Sequence, residues 1–512
     1  MTDRFDKSPW PSIVIVCIAI VLRCWLIEIK PPHFDEGING WFADQMTATG
    51  YYRYDPTNYH GPLHFYAVFL SQTLFGREVW ALRLPAILAS VLCVVAMLRF
   101  REFFGTGVAR LAALAMAVSP GLVFYGRYSI HESWQVLFSI LFLHGLLGLW
   151  QNGNRRDFFT LIAAVTGMIL TKETYLVHLG CFALAAFVLS VWHRLVPSRP
   201  SYTIAPQKWR QDDVILGIGL AVLIIIFFYS GTFRDFGALR GLYQTFTVWV
   251  KTGIDSGGHH KTTYDIIGPL NYYWIAIMGR YEWPALAGVF VCLRYMAPSD
   301  ARLRYIAIAS TGTLLAYSLI SYKTPWCIIS IIWPFYIILG ALLKEWADYC
   351  LRRWVWLVAA PLIAVSLWSS IRLNFFFYTD DSEPYVYVQT LEDIRKFTDP
   401  VLTAAKSQAD GYQMKGSIIL DSYYPLPWML GDFTRVGYYK KDAMPTEWDF
   451  DFIVVDTSME AALEKNLTQP FYKIPFRLRS GQDDCTAYLS VARFSKIVGS
   501  ETDIISQANT EP

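Results

Sequence analysis

Asp35 and Glu36 stand side by side just after the first long apolar run, and acid–base chemistry would start most readily from them. Other ionisable groups recur in comparable places. Tyr59 and His60 precede Gly61-Pro62, and His64 follows His60 by four residues. Arg127, His131 and Glu132 lie between two apolar runs, Lys172 and Glu173 between two more, and Lys323 lies in Ser-Tyr-Lys-Thr-Pro-Trp. A carboxylate partly desolvated at a membrane edge has its pKa raised toward a value useful for accepting a proton, unless nearby cations offset the shift. Cations in the same place stabilise a departing phosphate.

Each residue also has a plainer reading. Asp35-Glu36-Gly37 suits a solvated turn or a helix N-terminus. Lone basic residues such as Arg127 and Lys172 commonly anchor span ends against lipid headgroups. His60 and His64 share one face of a helix at i and i+4, a ligand-like spacing, but no third ligand is fixed by sequence. The tandem His259-His260 is a weaker signal still. No glycine-rich nucleotide loop occurs in a suitable context, so nothing argues for a nucleotide cofactor. A divalent metal could assist at a phosphate, with its ligands unassigned.

The elements that must position these groups are membrane helices. Of the 512 residues, 54% are apolar and 16% aromatic, which are not values of a soluble enzyme. The net charge of +2 gives no basic face for nucleic acid. Eight cysteines, six of them in apolar stretches, form no disulfide framework and no Cys-based metal site. Apolar runs recur at 11–29, 79–98, 108–126, 133–150, 157–171, 174–192, 214–230, 283–296, 305–321, 325–343 and 354–371. They predict about eleven spans, each near the ~20 residues that a bilayer requires. The first run has no cleavage site after it and is expected to stay as an anchor, with Arg23 snorkelling to the outer interface.

Basic connections between alternate spans, such as Arg99, Arg101 and Arg110 or Arg155 and Arg156, place those loops in the cytoplasm. The assignment requires 61–76 and the stretch near 265–280 to be interfacial or re-entrant helices that do not cross. Asp35, His60, Arg127, Lys172 and Lys323 then share the outer side. The expected organisation is a transmembrane domain over 1–372 with an outer first loop at 30–78, and a small extracytoplasmic α/β domain over 373–498. Its strands are expected near 417–420, 452–455 and 488–491, its helices near 388–406 and 458–465, and a disordered tail over 499–512.

With that topology the residue types suit a reaction on a lipid phosphosugar. Asp35 would accept the proton of an attacking hydroxyl, and Arg127, Lys172 or Lys323 would hold the leaving phosphate. Trp41, Tyr59, Tyr125, Tyr128 and Trp326 could pack against sugar rings or carrier chains.

The run His-Phe-Asp-Glu-Gly at 33–37 is followed by Tyr-His-Gly-Pro-Leu-His-Phe-Tyr at 59–66, Arg-Leu-Pro at 83–85, Gly-Arg-Tyr-Ser-Ile-His-Glu at 126–132 and Leu-Thr-Lys-Glu at 170–173. In order and placement this resembles the protein O-mannosyltransferase-like group of membrane glycosyltransferases, over residues 10–345. Lys-Thr-Pro-Trp at 323–326 and Tyr-Pro-Leu-Pro-Trp at 424–428 look more like the subgroup associated with flippase activity in archaeal protein glycosylation. Gly61-Pro62 departs from the Pro-Pro that the family often shows.

The resemblance implies a multi-pass α-helical GT-C fold, Asp35 as catalytic base and Glu36 as its neighbour in donor or acceptor binding. Tyr59, His60, His64, Arg127, His131, Glu132, Lys172, Glu173 and Lys323 are the candidate substrate-binding residues. The expected reaction is an inverting hexosyl or pentosyl transfer at the outer face of the cell membrane. Its partners are a polyprenyl-phosphate-linked sugar donor, the lipid bilayer, and a protein, lipid or glycan acceptor. The rival readings are a lipid-linked sugar flippase, which would place polar groups at midmembrane depth, and an inactive glycosylation scaffold.

Overall fold

The computed structural model describes residues 8–58, 60–195, 204–255, 258–296, 300–349, 352–446, 448–481, 484–498 and 504–505. The chain divides into two compact units. Met1–Ile27 with Met46–Phe377 form a helical unit, and Glu28–Gln45 with Tyr378–Pro512 form a sheet unit.

In the helical unit every apolar run falls on a helix. Among the described residues six helices are long and apolar enough to cross a membrane: Val79–Phe104, Glu132–Asn152, Tyr175–Trp192, Gln211–Tyr229, Pro325–Tyr349 and Trp354–Phe375. A seventh is gained if Thr106–Val118 and Pro120–Gly126, bent by 58°, count as one span. Trp10–Cys24, Leu63–Phe75 and Trp283–Met296 are apolar but shorter. Length and composition thus support six or seven crossings where about eleven were expected. The stretch near 265–280 also differs from expectation. A hairpin of β1 (Asp265–Ile267) and β2 (Leu270–Asn271) comes first, and only Tyr273–Tyr281 is helical.

The bend at Ser119-Pro120 has a local cause. Proline cannot donate to the preceding turn, and at a first-turn position it starts a new helix. Ser119 Oγ accepts the Leu122 N–H at 3.3 Å, and the fully buried Glu282 accepts from Ser119 Oγ at 2.8 Å and from the Gly121 N–H at 2.6 Å. The bend also explains Arg23, which does not snorkel but is buried in the bundle. Its guanidinium donates to Ser90 Oγ at 2.7 Å and to the carbonyls of Ala117 at 3.1 Å and Ala19 at 3.2 Å. The helix that stops at Val118 leaves its last carbonyls without intrahelical partners, and Arg23 supplies one.

The sheet unit is built on six strands: β3 (Lys415–Ile419), β4 (Arg435–Tyr439), β5 (Phe452–Asp456), β6 (Phe471–Phe476), β7 (Cys485–Ser490) and β8 (Ile504–Ile505). Their order is β4-β3-β5-β7-β6-β8. The first three are parallel, with Ile418 opposite Tyr438 and Val454, and the rest pair antiparallel, with Val454 opposite Ala487. Buried β5 reads Phe-Ile-Val-Val-Asp, an apolar run expected where both faces of a sheet are covered. Phe397, Val401 and Ala404 of the helix Arg395–Ser407 cover one face, and Leu463 and Leu467 lie on the other. The tail expected to be disordered contributes β8 at 504–505, while 499–503 and 506–512 lie outside the described residues.

Candidate active site

In the helical unit three connecting segments meet. Gly61 N–H donates to the Thr171 carbonyl at 3.0 Å and Leu63 N–H to the Leu170 carbonyl at 3.0 Å, so His60 and Lys172 pair as an isolated antiparallel bridge. A Cβ on Gly61 would lie 2.3 Å from the Leu170 carbonyl, which is why glycine stands there. The bridge brings His60 Nδ1 to 3.0 Å from Glu173 Oε2. Lys172 Nζ is paired with Glu132, both buried. Burial opposes the charge on Lys172, but Glu132, Cys327 and Glu173 together raise its pKa well above that of a free lysine.

His131 lies among these groups, its ring centroid 4.7 Å from those of both His60 and His64. Burial holds its pKa well below the usual histidine value, and His60, His64 and Lys172 push the same way. His64 Nε2 lies 3.1 Å from Ser129 Oγ. The helix begins only at Leu63, so His60 and His64 do not share a helical face as the i, i+4 spacing suggested. They converge on His131 instead. Among the described residues no group of three or more His, Cys, Asp or Glu is arranged to hold a metal ion.

The other predicted members are placed differently. Tyr59 lies outside the described residues. Arg127 donates to the carbonyls of Leu22 at 3.1 Å, Trp25 at 2.6 Å and Leu26 at 2.7 Å, closing the end of the helix Trp10–Cys24. Lys323 Nζ donates to the carbonyls of Tyr317 at 3.0 Å, Ser318 at 3.2 Å and Ile320, at the end of Ala301–Leu319. Both cations therefore serve helix termini, whose last carbonyls otherwise lack donors. Burial brings the Lys323 pKa down to about 8. Tyr125 and Tyr128 are buried against one another, with ring centroids 5.7 Å apart, and are core residues rather than a sugar platform.

Asp35 belongs to the sheet unit. It lies in the first turn of the helix Phe34–Thr49, which His33 and Glu36 cap reciprocally. Glu36 Oε2 accepts the His33 N–H at 2.8 Å, and His33 Nδ1 accepts the Asp35 N–H at 3.0 Å. This is a capping box with imidazole in place of the usual hydroxyl. His33 Nε2 lies 2.8 Å from the Tyr387 carbonyl, which can only accept, so Nε2 carries the proton and the ring is neutral. Burial holds the His33 pKa below its ordinary value against the pull of Asp35. Glu36 is fully buried on this cap, whereas the Asp35 side chain is 36% exposed, so only Asp35 is presented to an incoming group.

Around Asp35 the sheet unit supplies residues that sequence reasoning missed. The Arg479 guanidinium lies 4.5 Å over the Phe34 ring and donates to Ser422 Oγ at 2.7 Å and to its carbonyl at 3.1 Å. Tyr424 meets the same ring edge-on at 5.7 Å. A Cβ on Gly37 would lie 2.4 Å from Pro425 Cα, so the motifs at 33–37 and 424–428 pack with no room for a side chain between them. The spacing His-x-x-Glu at 33–36 is a legible capping signal. Nothing local in the sequence announces Arg479.

Residues 59–205 match the family described as dolichyl-phosphate-mannose-protein mannosyltransferase. No curated protein sequence matches the chain. Among solved structures, ArnT from Cupriavidus metallidurans bound to undecaprenyl phosphate is 16% identical with a TM-score of 0.63, covering 95% of this chain and 99% of that one. Its apo state gives 15% and 0.60, covering 96% and 99%. The Archaeoglobus fulgidus oligosaccharyltransferase tethered with an acceptor peptide gives 13% and 0.53, covering 97% and 76%. The chain thus has the GT-C fold of membrane glycosyltransferases and carries, over residues 59–205, the match to the dolichyl-phosphate-mannose-protein mannosyltransferase family.

Proposed function

We propose that the chain is a membrane glycosyltransferase that moves a hexosyl or pentosyl group from a polyprenyl-phosphate carrier to an acceptor hydroxyl, with inversion at the anomeric carbon. The observation that carries this reading is the gathering of His60, His131, Glu132, Lys172 and Glu173 where three connections between helices meet. Ionisable groups buried at span ends are expensive and mark function by default. The fold is shared with a protein that binds undecaprenyl phosphate.

Asp35 takes the proton of the acceptor hydroxyl as its oxygen bonds to the anomeric carbon. The bond from that carbon to the phosphate oxygen breaks, and its electron pair leaves with the carrier phosphate. Lys172 and His60, gathered within the helical unit, are the groups whose charge and hydrogen-bond donors suit a leaving phosphate. Arg127 and Lys323, engaged with helix carbonyls, are left out of that role. With the basic connections between alternate apolar runs inside, the reaction lies on the extracytoplasmic side of the cell membrane.

The test uses the full chain in nanodiscs with a radiolabelled polyprenyl-phosphate sugar, and release of polyprenyl phosphate is measured. Asp35→Asn is expected to abolish release, and Lys172→Met to reduce it by at least tenfold. Full release by Asp35→Asn would remove the assignment of the base. Translocation of the carrier without sugar transfer would make the chain a flippase instead.

A further inference from the structure

The sheet unit holds more of Asp35 than a helix cap. The helix Phe34–Thr49 packs on the segment that follows β3, with Phe34 between the Tyr424 edge and the Arg479 guanidinium. Arg479 itself follows β6, pairs with Thr390 as an isolated bridge, and is fixed by both oxygens of Ser422. A planar guanidinium clamped at two points and stacked on a ring has little rotameric freedom, so its charge has a fixed address.

We propose that Arg479 is a positioning residue for Asp35: it clamps Phe34 and so orients the first helical turn, which presents the Asp35 carboxylate. The idea rests on the reading of Asp35 as the base. Arg479 is 4% exposed, so its charge is poorly screened by water.

The groups facing Asp35 come from several elements. His33 and Glu36 lie beside it on its own turn, and Lys30 lies beside His33. Tyr387 comes from the segment before the helix Arg395–Ser407, and its pKa is raised by burial and by Asp35. Tyr424 stands across Phe34. Cys485 of β7 neighbours Arg479 on its far side. His33 is neutral, Glu36 is engaged with backbone and Lys30 lies beside His33, whereas Arg479 is the cation that stacks on Phe34 of this turn. Burial brings the Arg479 pKa down to about 10, with Asp35 opposing the shift, so it remains charged at neutral pH.

The experiment reads the field at position 35 without relying on catalysis. Asp35→Cys is made in the full chain, and the pH dependence of alkylation by iodoacetamide is followed, with the unsubstituted chain as background for Cys17 and Cys24, which are exposed. Adding Arg479→Met is expected to move the alkylation midpoint up by about one pH unit, because a thiolate loses its neighbouring cation. Adding Arg479→Lys restores most of the difference. Ser422→Ala, which loosens the clamp and keeps the charge, gives a smaller upward shift and serves if Arg479→Met does not fold.

In the enzyme with Asp35 intact, Arg479→Met is expected to lower kcat about tenfold with little change in KM, as misorientation of a reacting group does. An unchanged midpoint in both Arg479→Met and Ser422→Ala overturns the proposal. So does a lowered unfolding temperature with no midpoint shift, which would mark Arg479 as structural only. Retained transfer by Asp35→Asn would instead defeat the base assignment, and it leaves the thiol midpoint untouched.

Discussion

Glu36 Oε2 accepts the backbone N–H of His33 at 2.8 Å, so the second carboxylate of the acidic pair holds the turn that presents the first. Two adjacent acids in one motif have different work: one faces outward, the other closes a helix start. Glu36→Gln keeps an acceptor for the His33 N–H and should retain most of the transfer activity. Glu36→Ala leaves that buried N–H without a partner and should lower stability by about 1–2 kcal/mol, with a fall in kcat. Thermal unfolding in detergent and transfer assays on both variants check this. Equal loss of activity in the two variants would show that Glu36 acts chemically.

The neutral His33 makes the same cap sensitive to acid. Its folded pKa lies below the ordinary histidine value, so as pH falls the unfolded chain takes up the proton first. The stability His33 contributes is intact above the unfolded pKa of about 6.5 and is lost as pH falls below it. Amide exchange at residues 34–49 should therefore quicken between pH 7.5 and 5. His33→Asn keeps a capping acceptor without the titration and should flatten that dependence. If the exchange rates of wild type and variant change alike over this range, once corrected for intrinsic exchange, His33 is not the sensor.

The helices were legible because a bilayer demands long apolar runs, and each run at 79–98, 133–150 or 325–343 falls on one. The polar site was legible only in part. Sequence shows that Arg127, Lys172 and Lys323 stand at ends of apolar runs, but every helix end also offers orphan carbonyls, and two of the three cations serve those. Lys172 differs because Gly61 lets the strand-like 60–63 segment lie against 170–172, a pairing set by contact between distant segments. The membership of 28–45 in the sheet unit is equally non-local: Phe34 and Arg479 are hundreds of residues apart and neither carries a pattern pointing to the other. Arg23 was misread because the break at Ser119-Pro120 frees carbonyls inside the bundle.

Lys172 and Glu132 form a buried pair, and such pairs are revealed by cutting one side at a time. Lys172→Met strands the Glu132 carboxylate, and Glu132→Gln strands the ammonium beside Glu173. Lys172→Met should destabilise by about 3–5 kcal/mol, because an uncompensated buried charge remains, and Glu132→Gln by less, because Glu173 still faces the ammonium. Lys172→Met with Glu132→Gln removes both charges and should be destabilised by clearly less than the sum. Thermal or denaturant unfolding of the four proteins gives the cycle. Strict additivity would mean that the two side chains do not act as a pair.

Gly61 tests whether the bridge, rather than the charges alone, assembles the cluster. A methyl group there meets the Leu170 carbonyl carbon and oxygen at 2.3 Å, and both are backbone atoms that cannot swing aside. Gly61→Ala must push the 60–63 segment off 170–172, lengthening two hydrogen bonds of 3.0 Å and drawing His60 away from Glu173. Overpacking of this kind typically destabilises by about 1–3 kcal/mol. Transfer activity should fall further than the unfolding temperature implies, because His60 is displaced even in molecules that fold. Gly107→Ala is the control: the nearest atom to its Cβ is the flexible Lys344 side chain at 3.6 Å, so stability and activity should stay at wild-type levels. If Gly61→Ala matched Gly107→Ala in both measurements, the contact between 61 and 170 would not be what brings His60 to Glu173, and the cluster would need another cause.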